Sequence, residues 1–126
     1  MNRNLVRICL DAVMVVLLVL MYEARVLGLE FHEIGGLAVC CLFLVHNGIN
    51  RKWVAGVTRR LFKSSLPVRT RVGYTVDVLL LVSMAFIALS GIMISRTVLV
   101  GIYGDVTFWR PAHYFASATT LMLVGI

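Results

Sequence analysis

Three histidines occur in this chain, and two of them, His32 and His46, stand fourteen positions apart on one hydrophobic segment. At ~100° per residue, fourteen steps fall ~40° short of four whole turns, so both imidazoles leave the helix from the same face. At ~1.5 Å rise they lie ~21 Å apart, one near each side of a bilayer's hydrocarbon core. The third, His113, opens the last apolar segment. A partner fourteen positions further on would be residue 127, one beyond Ile126. An ionisable residue in lipid is costly and points to function. Neutral imidazole is a good axial ligand for haem iron, binding through one ring nitrogen and hydrogen bonding through the other. Two helices that each carry His-x13-His would hold two haems stacked across a membrane, and this chain has three of those four ligands. Either His32 or His46 alone would suit a half-wet position at the interface; the pair in register, with His113 at matching depth, favours haem.

The helices that must carry these residues are legible in the hydropathy. Hydrophobic residues make up 60% of the 126 and charged residues 14%, with mean hydropathy +0.94, more apolar surface than a soluble domain of this length can bury. Four segments are candidate spans, 5–22, 31–50, 72–95 and 111–126. The first three reach or approach the ~20 residues that a crossing needs; the last, ~24 Å as a helix, does not. The expected fold is therefore all-α, an integral membrane four-helix bundle of 126 residues whose fourth helix is truncated. The first span is not a secretory signal, because Glu23, Ala24 and Arg25 follow it where a small-x-small cleavage site would stand. Cys9, Cys40 and Cys41 fall inside spans without a CxxC pair, and are expected to be small buried apolar side chains.

Charge sets the expected orientation. Residues 51–71 carry Arg51, Lys52, Arg59, Arg60, Lys63, Arg69 and Arg71 and no acid. The positive-inside rule puts this loop, and the N-terminus with Arg3 and Arg7, in the cytoplasm. The opposite loops hold only Arg25, Arg96 and Arg110, with Glu23, Glu30, Glu33 and Asp105. In so apolar a chain a basic loop is topogenic and meets anionic lipid rather than nucleic acid. The stretch 53–62 is expected to lie as a short amphipathic helix at the interface.

An internal repeat supports facing histidine helices. Leu10-Asp11-Ala12-Val13-Met14 is echoed by Val76-Asp77-Val78-Leu79-Leu80, and His32 corresponds to His113. The chain reads as two parallel-repeat helical hairpins, each an acid-bearing helix followed by a histidine-bearing one, with spans two and four as counterparts. Gly35 and Gly36, three and four positions beyond His32, would let a flat macrocycle approach the helix, though small residues also serve plain helix packing. Gly48, Gly91 and Gly125 are further candidates. Arg96, Arg110 and Trp109 at the external rim, and Arg51, Lys52 and Trp53 at the cytoplasmic rim, could meet haem propionates. Asp11 has Arg7 four positions before it, a spacing for an ion pair; Asp11 and Asp77 suit either a proton path or quinone contact, or simple snorkelling to the interface.

These residues resemble a known family. The runs His32-Glu33-Ile34-Gly35-Gly36 and His46-Asn47-Gly48-Ile49-Asn50-Arg51-Lys52-Trp53 are similar to the DUF4405 group, the flavinylation-associated cytochromes, related to b-type cytochromes and ferric-reductase-like membrane proteins. So are Asp77 followed by Ser90-Gly91-Ile92-Met93-Ile94-Ser95-Arg96, and then Trp109-Arg110-Pro111-Ala112-His113. The resemblance covers nearly the whole chain. It implies a four-helix carrier of haem b in the bacterial cytoplasmic membrane, relaying electrons between a quinone or cytoplasmic donor and an external acceptor such as a flavoprotein. His32, His46 and His113 match the family's ligand positions.

The expected site is thus one haem b between His32 and His113, with metal ligation also open to His46 if a missing ligand is supplied, and with Gly35, Gly36, Arg96 and Arg110 contacting the cofactor. No nucleophile–base pair, phosphate loop or nucleotide fingerprint is present, so the chain is expected to be an electron-transfer component rather than a complete enzyme. Partners are membrane lipid and redox proteins or quinone, and a homo-oligomer is compatible with the pattern. Two rival readings stand beside it: a metal-ion transporter using the histidines with Glu33 and the aspartates, and a non-catalytic membrane anchor.

Overall fold

The computed structural model describes residues 2–102 and 104–126. The side chains of Ala24 and Arg25 fall outside this description, and with them the Arg25 charge assigned above to an external loop. Helix α1 (Arg3–Leu20) runs through a 3-10 turn (Met21–Glu23) and a single helical turn, α2 (Ala24–Leu27), into the long α3 (Leu29–Arg60). A short turn leads to α4 (Val68–Ile94), and a longer loop to α5 (Val106–Val124). The fold is an all-α bundle, with no strand among the described residues. Three helical stretches, Arg3–Glu23, Leu29–Arg60 and Val68–Ile94, are long and apolar enough to cross a membrane. Within their apolar windows only 6%, 6% and 11% of residues are buried inside the protein. Leu44, Val82, Phe115 and many other large apolar side chains face outward, as contact with lipid requires.

Local chemistry explains where the helices start. The Asn2 side chain accepts the Asn4 amide at 3.2 Å and caps α1. Gly28, at φ 93°, separates α2 from α3 in a conformation that L side chains rarely adopt, and its carbonyl takes the His32 amide at 3.1 Å. Asp105 caps α5, accepting the Thr107 amide at 3.0 Å and the Thr107 hydroxyl at 2.6 Å. Those two bonds hold the Asp105 carboxyl below the usual carboxylate range.

Two predicted boundaries change. The fourth helix begins at Val106, five positions before Pro111, because the Asp105 cap starts it there. It therefore runs 19 residues, ~28 Å, and the shortness inferred from a start at Pro111 disappears. Pro111 sits inside the helix and costs it one backbone hydrogen bond. The 53–62 stretch is not a separate interfacial helix. It continues α3 without a break to Arg60, since no proline interrupts the ladder and Thr58 ties to Tyr74 of α4 at 2.7 Å. The cysteines are less buried than expected: Cys40 is half-buried, and Cys9 and Cys41 are exposed.

The principal packing runs around a ring, α1 against α3, α3 against α4, α4 most extensively against α5, and α5 back to α1. That order leaves α3 and α5 diagonally opposed. Met21, Val39 and Met84 form the small buried core, flanked by Leu17, Phe43 and Ile87. One loop contact is unusually close: a Cβ on Gly104 would overlap Trp109 Cδ1 and stand 2.6 Å from its Nε1 and 3.0 Å from Met93 Cβ. Gly104 also donates its amide to the Met93 carbonyl at 3.1 Å. Gly104→Ala is expected to cost about 1–3 kcal/mol, read as a lower thermal midpoint in detergent, while Gly73→Ala, with open space around it, should not lower it.

Candidate functional site

The diagonal arrangement puts His32 of α3 and His113 of α5 together, with ring centroids 6.1 Å apart and planes crossed at 78°. Each ring is fixed by its Nδ1. His32 Nδ1 lies 2.8 Å from the Met21 carbonyl, which can only accept, so that nitrogen carries the proton. The carbonyl is available because it belongs to the frayed end of α1. His113, buried at 8% exposure, has Nδ1 2.9 Å from Ser90 Oγ. The Ser90 hydroxyl donates back to the Phe86 carbonyl at 2.7 Å, so its oxygen accepts from His113. Both rings are thereby oriented through Nδ1, and neither Nε2 bonds to a described residue. Two imidazoles sharing one metal, at ~2.0 Å per bond, have centres about 6 Å apart, the spacing seen here.

These rings line an outer cavity of about 450 Å³, walled mainly by apolar side chains including Leu37, Ile87 and Leu99. Its size suits a cofactor site. Gly36 and Gly91 line it without side chains; a Cβ on Gly36 would meet nothing within 4 Å, whereas one on Gly91 would come 3.4 Å from His113 Cε1. Arg96 and Arg110 line it as well. The residues present fit a flat iron–porphyrin: two imidazoles 6.1 Å apart on facing helices, glycines in the cavity wall and two cationic side chains.

Several expected contacts fall elsewhere. Gly35 does not line the cavity; it lies under Met21, whose Cε would be 2.5 Å from an added Cβ, and so serves the crossing of α3 with the end of α1. Gly48 and Gly125 line neither cavity, and nor do Arg51 and Lys52. Trp109 packs against Phe86 and Phe108, at 6.2 and 5.1 Å between centroids, instead of facing the slot.

His46 occupies a second, inner cavity of about 570 Å³, which Leu18, Val39 and Met84 separate from the outer one by lining both. Its Nδ1 lies 2.6 Å from Asp11 Oδ1, and its ring stacks on Phe43 with centroids 6.4 Å apart. The expected Arg7–Asp11 pair is absent: Asp11 turns inward to the imidazole, and Arg7 Nε has no partner. No second histidine lines the inner cavity, so the described residues supply His46 with no opposing imidazole. Asn47, Asn50, Asp77, Trp53 and the unpartnered hydroxyl of Thr120, 1% exposed, complete its polar lining, and Asn50 Nδ2 stands 3.4 Å from His46 Nε2. Nowhere among the described residues do three or more His, Cys, Asp or Glu gather as a metal site.

The repeat is visible in these walls. Asp11 and Asp77, Met14 and Leu80, and Leu18 and Met84, each pair 66 positions apart, line the inner cavity from α1 and α4. His32 and His113, Gly36 and Ser117, Val39 and Thr120, and Phe43 and Val124, each 81 apart, line the two cavities from α3 and α5.

Sequence reasoning gave Glu33 a role only as a possible metal donor, and missed its structural one. Its carboxylate crosses from α3 to the loop after α4 and accepts the amides of Arg96 (2.9 Å), Thr97 (3.2 Å) and Val98 (2.8 Å). It also accepts the hydroxyls of Ser95 (2.6 Å) and Thr97 (2.8 Å). An acid beside a histidine in a membrane protein was the available signal; its partners lie more than sixty positions away.

Fold and site together define an α-helical bundle, with helices of membrane-crossing length, that holds two opposed histidines over a glycine-floored cavity. Comparison with known proteins gave no match to a family model, to a curated sequence or to a solved structure.

Proposed function

We propose that this protein is a b-type cytochrome of the bacterial cytoplasmic membrane, an electron-transfer component that carries one haem b between His32 and His113. The observation that carries the reading is the 6.1 Å spacing of two imidazoles whose Nδ1 atoms are both committed to protein oxygens. Such outer partners orient a ligating histidine and raise its basicity. An iron porphyrin held by His32 and His113 would supply one-electron transfer chemistry. The chain's own contribution is to hold the rings, exclude water with apolar walls, and offer Arg96 and Arg110 to the cofactor's carboxylates.

The charge distribution supports an orientation with the N-terminus and residues 51–71 in the cytoplasm, which makes the two-histidine site the external one. Kinship to the flavinylation-associated cytochromes, with a flavoprotein acceptor and a quinone or cytoplasmic donor, belongs to this proposal. A second haem at His46 is no part of it, because the inner cavity lacks an opposing imidazole among the described residues.

A reduced-minus-oxidised spectrum with pyridine-haemochrome quantitation, on the chain purified in detergent after expression with haem supplied, tests the proposal. Sharp reduced α and β bands with roughly one haem b per chain are expected. A preparation that stays helical and free of haem overturns the reading and returns the protein to the class of membrane anchors.

A further inference from the structure

Glu33 is the neighbour of a proposed ligand, yet its carboxylate faces away toward another helix's loop. All five of its hydrogen bonds come from neutral donors: three amides and two hydroxyls of residues 95–98. Ser95, 5% exposed, extends the hold by accepting the Leu99 amide at 3.0 Å. No described arginine shares the carboxylate. The one contact of a basic side chain with a carboxylate among the described residues is His46 with Asp11, so no described carboxylate pairs with the Arg96 and Arg110 side chains at the outer cavity.

We propose that Glu33 is a positioning residue: by gripping the backbone of 95–98 it fixes the cationic Arg96 at a set distance from His32, so that ligand and anchor for the anionic edge of the cofactor form one rigid unit. A carboxylate held by several amides is a strong clamp, and the clamp joins α3 to the loop while leaving the arginine's charge free for the carboxylates of an iron porphyrin. This role rests on the haem reading above, but its two consequences are measured separately.

The first concerns the loop alone, with no cofactor present. In Glu33→Gln, where the amide group meets backbone N–H donors with donors of its own, hydrogen exchange at Arg96, Thr97 and Val98 should speed up by about tenfold or more. Exchange in the middle of α4 should stay unchanged. Unaltered exchange at those three amides overturns the clamp, whatever the protein binds.

The second is the midpoint potential of the haem-loaded protein, where the sign separates positioning from simple charge. A nearby positive charge favours the reduced iron, so Arg96→Gln should lower the potential. Removing the Glu33 charge would, by direct electrostatics, raise it. If Glu33 acts through Arg96, the potential of Glu33→Gln falls instead, and that of Glu33→Gln with Arg96→Gln falls no further than that of Arg96→Gln alone. Glu33→Asp keeps the charge but shortens the reach, so its potential should fall too, which guards against a poorly folded glutamine variant. A rise in Glu33→Gln, or additive effects in the double variant, overturns the proposal. Absence of haem from the unsubstituted protein instead overturns the cytochrome reading and is recognised before any variant is made.

Discussion

His113→Ala is expected to abolish the low-spin, two-histidine spectrum and to strip haem from the purified protein. Losing a partner that merely supports a metal ligand costs ~10–100-fold in affinity, so losing the ligand itself should exceed that. The helical fold should survive. His113 is buried, but Ser90 already donates its hydroxyl to the Phe86 carbonyl, and the smaller side chain leaves no polar hydrogen stranded. The unfavourable part is a lost hydrogen bond worth about 1 kcal/mol, together with a cavity continuous with one that already exists. Far-UV circular dichroism should therefore be unchanged while the Soret band goes. Millimolar imidazole, entering the space left behind, should restore six-coordinate absorbance to some of the protein. His32→Ala should behave alike, and His46→Ala should keep the spectrum, because its ring belongs to the inner cavity. Loss of haem in His46→Ala with retention in His113→Ala would invert the assignment and sink the outer site.

Gly36→Leu is expected to separate stability from binding with opposite signs. Gly36 lies mid-helix, where glycine costs about 1 kcal/mol relative to a good helix former. An added Cβ meets nothing within 4 Å. The side chain would project into the outer cavity and fill it, so the cofactor-free protein should melt at the same or a higher temperature. Haem content should fall by about tenfold or more, since the leucine occupies the volume the macrocycle needs. The contrast with Gly35 is informative: a side chain there must displace Met21 from the core, so Gly35→Leu should lower the melting temperature. If Gly36→Leu bound haem normally, the slot would have to lie elsewhere, and the proposed site would fail although its histidines are close.

Much of the site was legible in sequence because it follows from helical period alone. His32 and Gly36 share a face by their spacing of four, and the correspondence of His32 with His113 through the repeat placed two imidazoles at one depth. The sequence also marked two acid-bearing helices, but only the structure shows Asp11 and Asp77 lining one cavity. Where the reading went astray, a local rule competed with a distant partner. Arg7 is the natural neighbour of Asp11 on one helix face, but an imidazole from α3 offers a closer, half-buried partner and takes the carboxylate. Gly35 and Gly36 look equivalent in sequence, yet they point to different neighbours, one to Met21 and one to the cavity. Pro111 looked like a helix start, and the capping geometry of Asp105 moved that start upstream.

Composition and periodicity by themselves determined that the protein is helical, that three of its helices can cross a membrane, and that its histidines lie on the faces of helices related by a repeat. These properties depend on hydrophobicity and on angles of ~100° per residue, quantities summed along the chain. Only the tertiary structure decided which ring nitrogen each histidine keeps free, since the Met21 carbonyl and the Ser90 hydroxyl are brought to them by chain reversal. It also decided that α3 and α5 stand diagonally, so that two imidazoles meet across a cavity instead of packing against a helix. The Glu33 clamp belongs to the same category: its five donors are gathered by a loop more than sixty positions away, and no pattern within α3 encodes where that loop will lie.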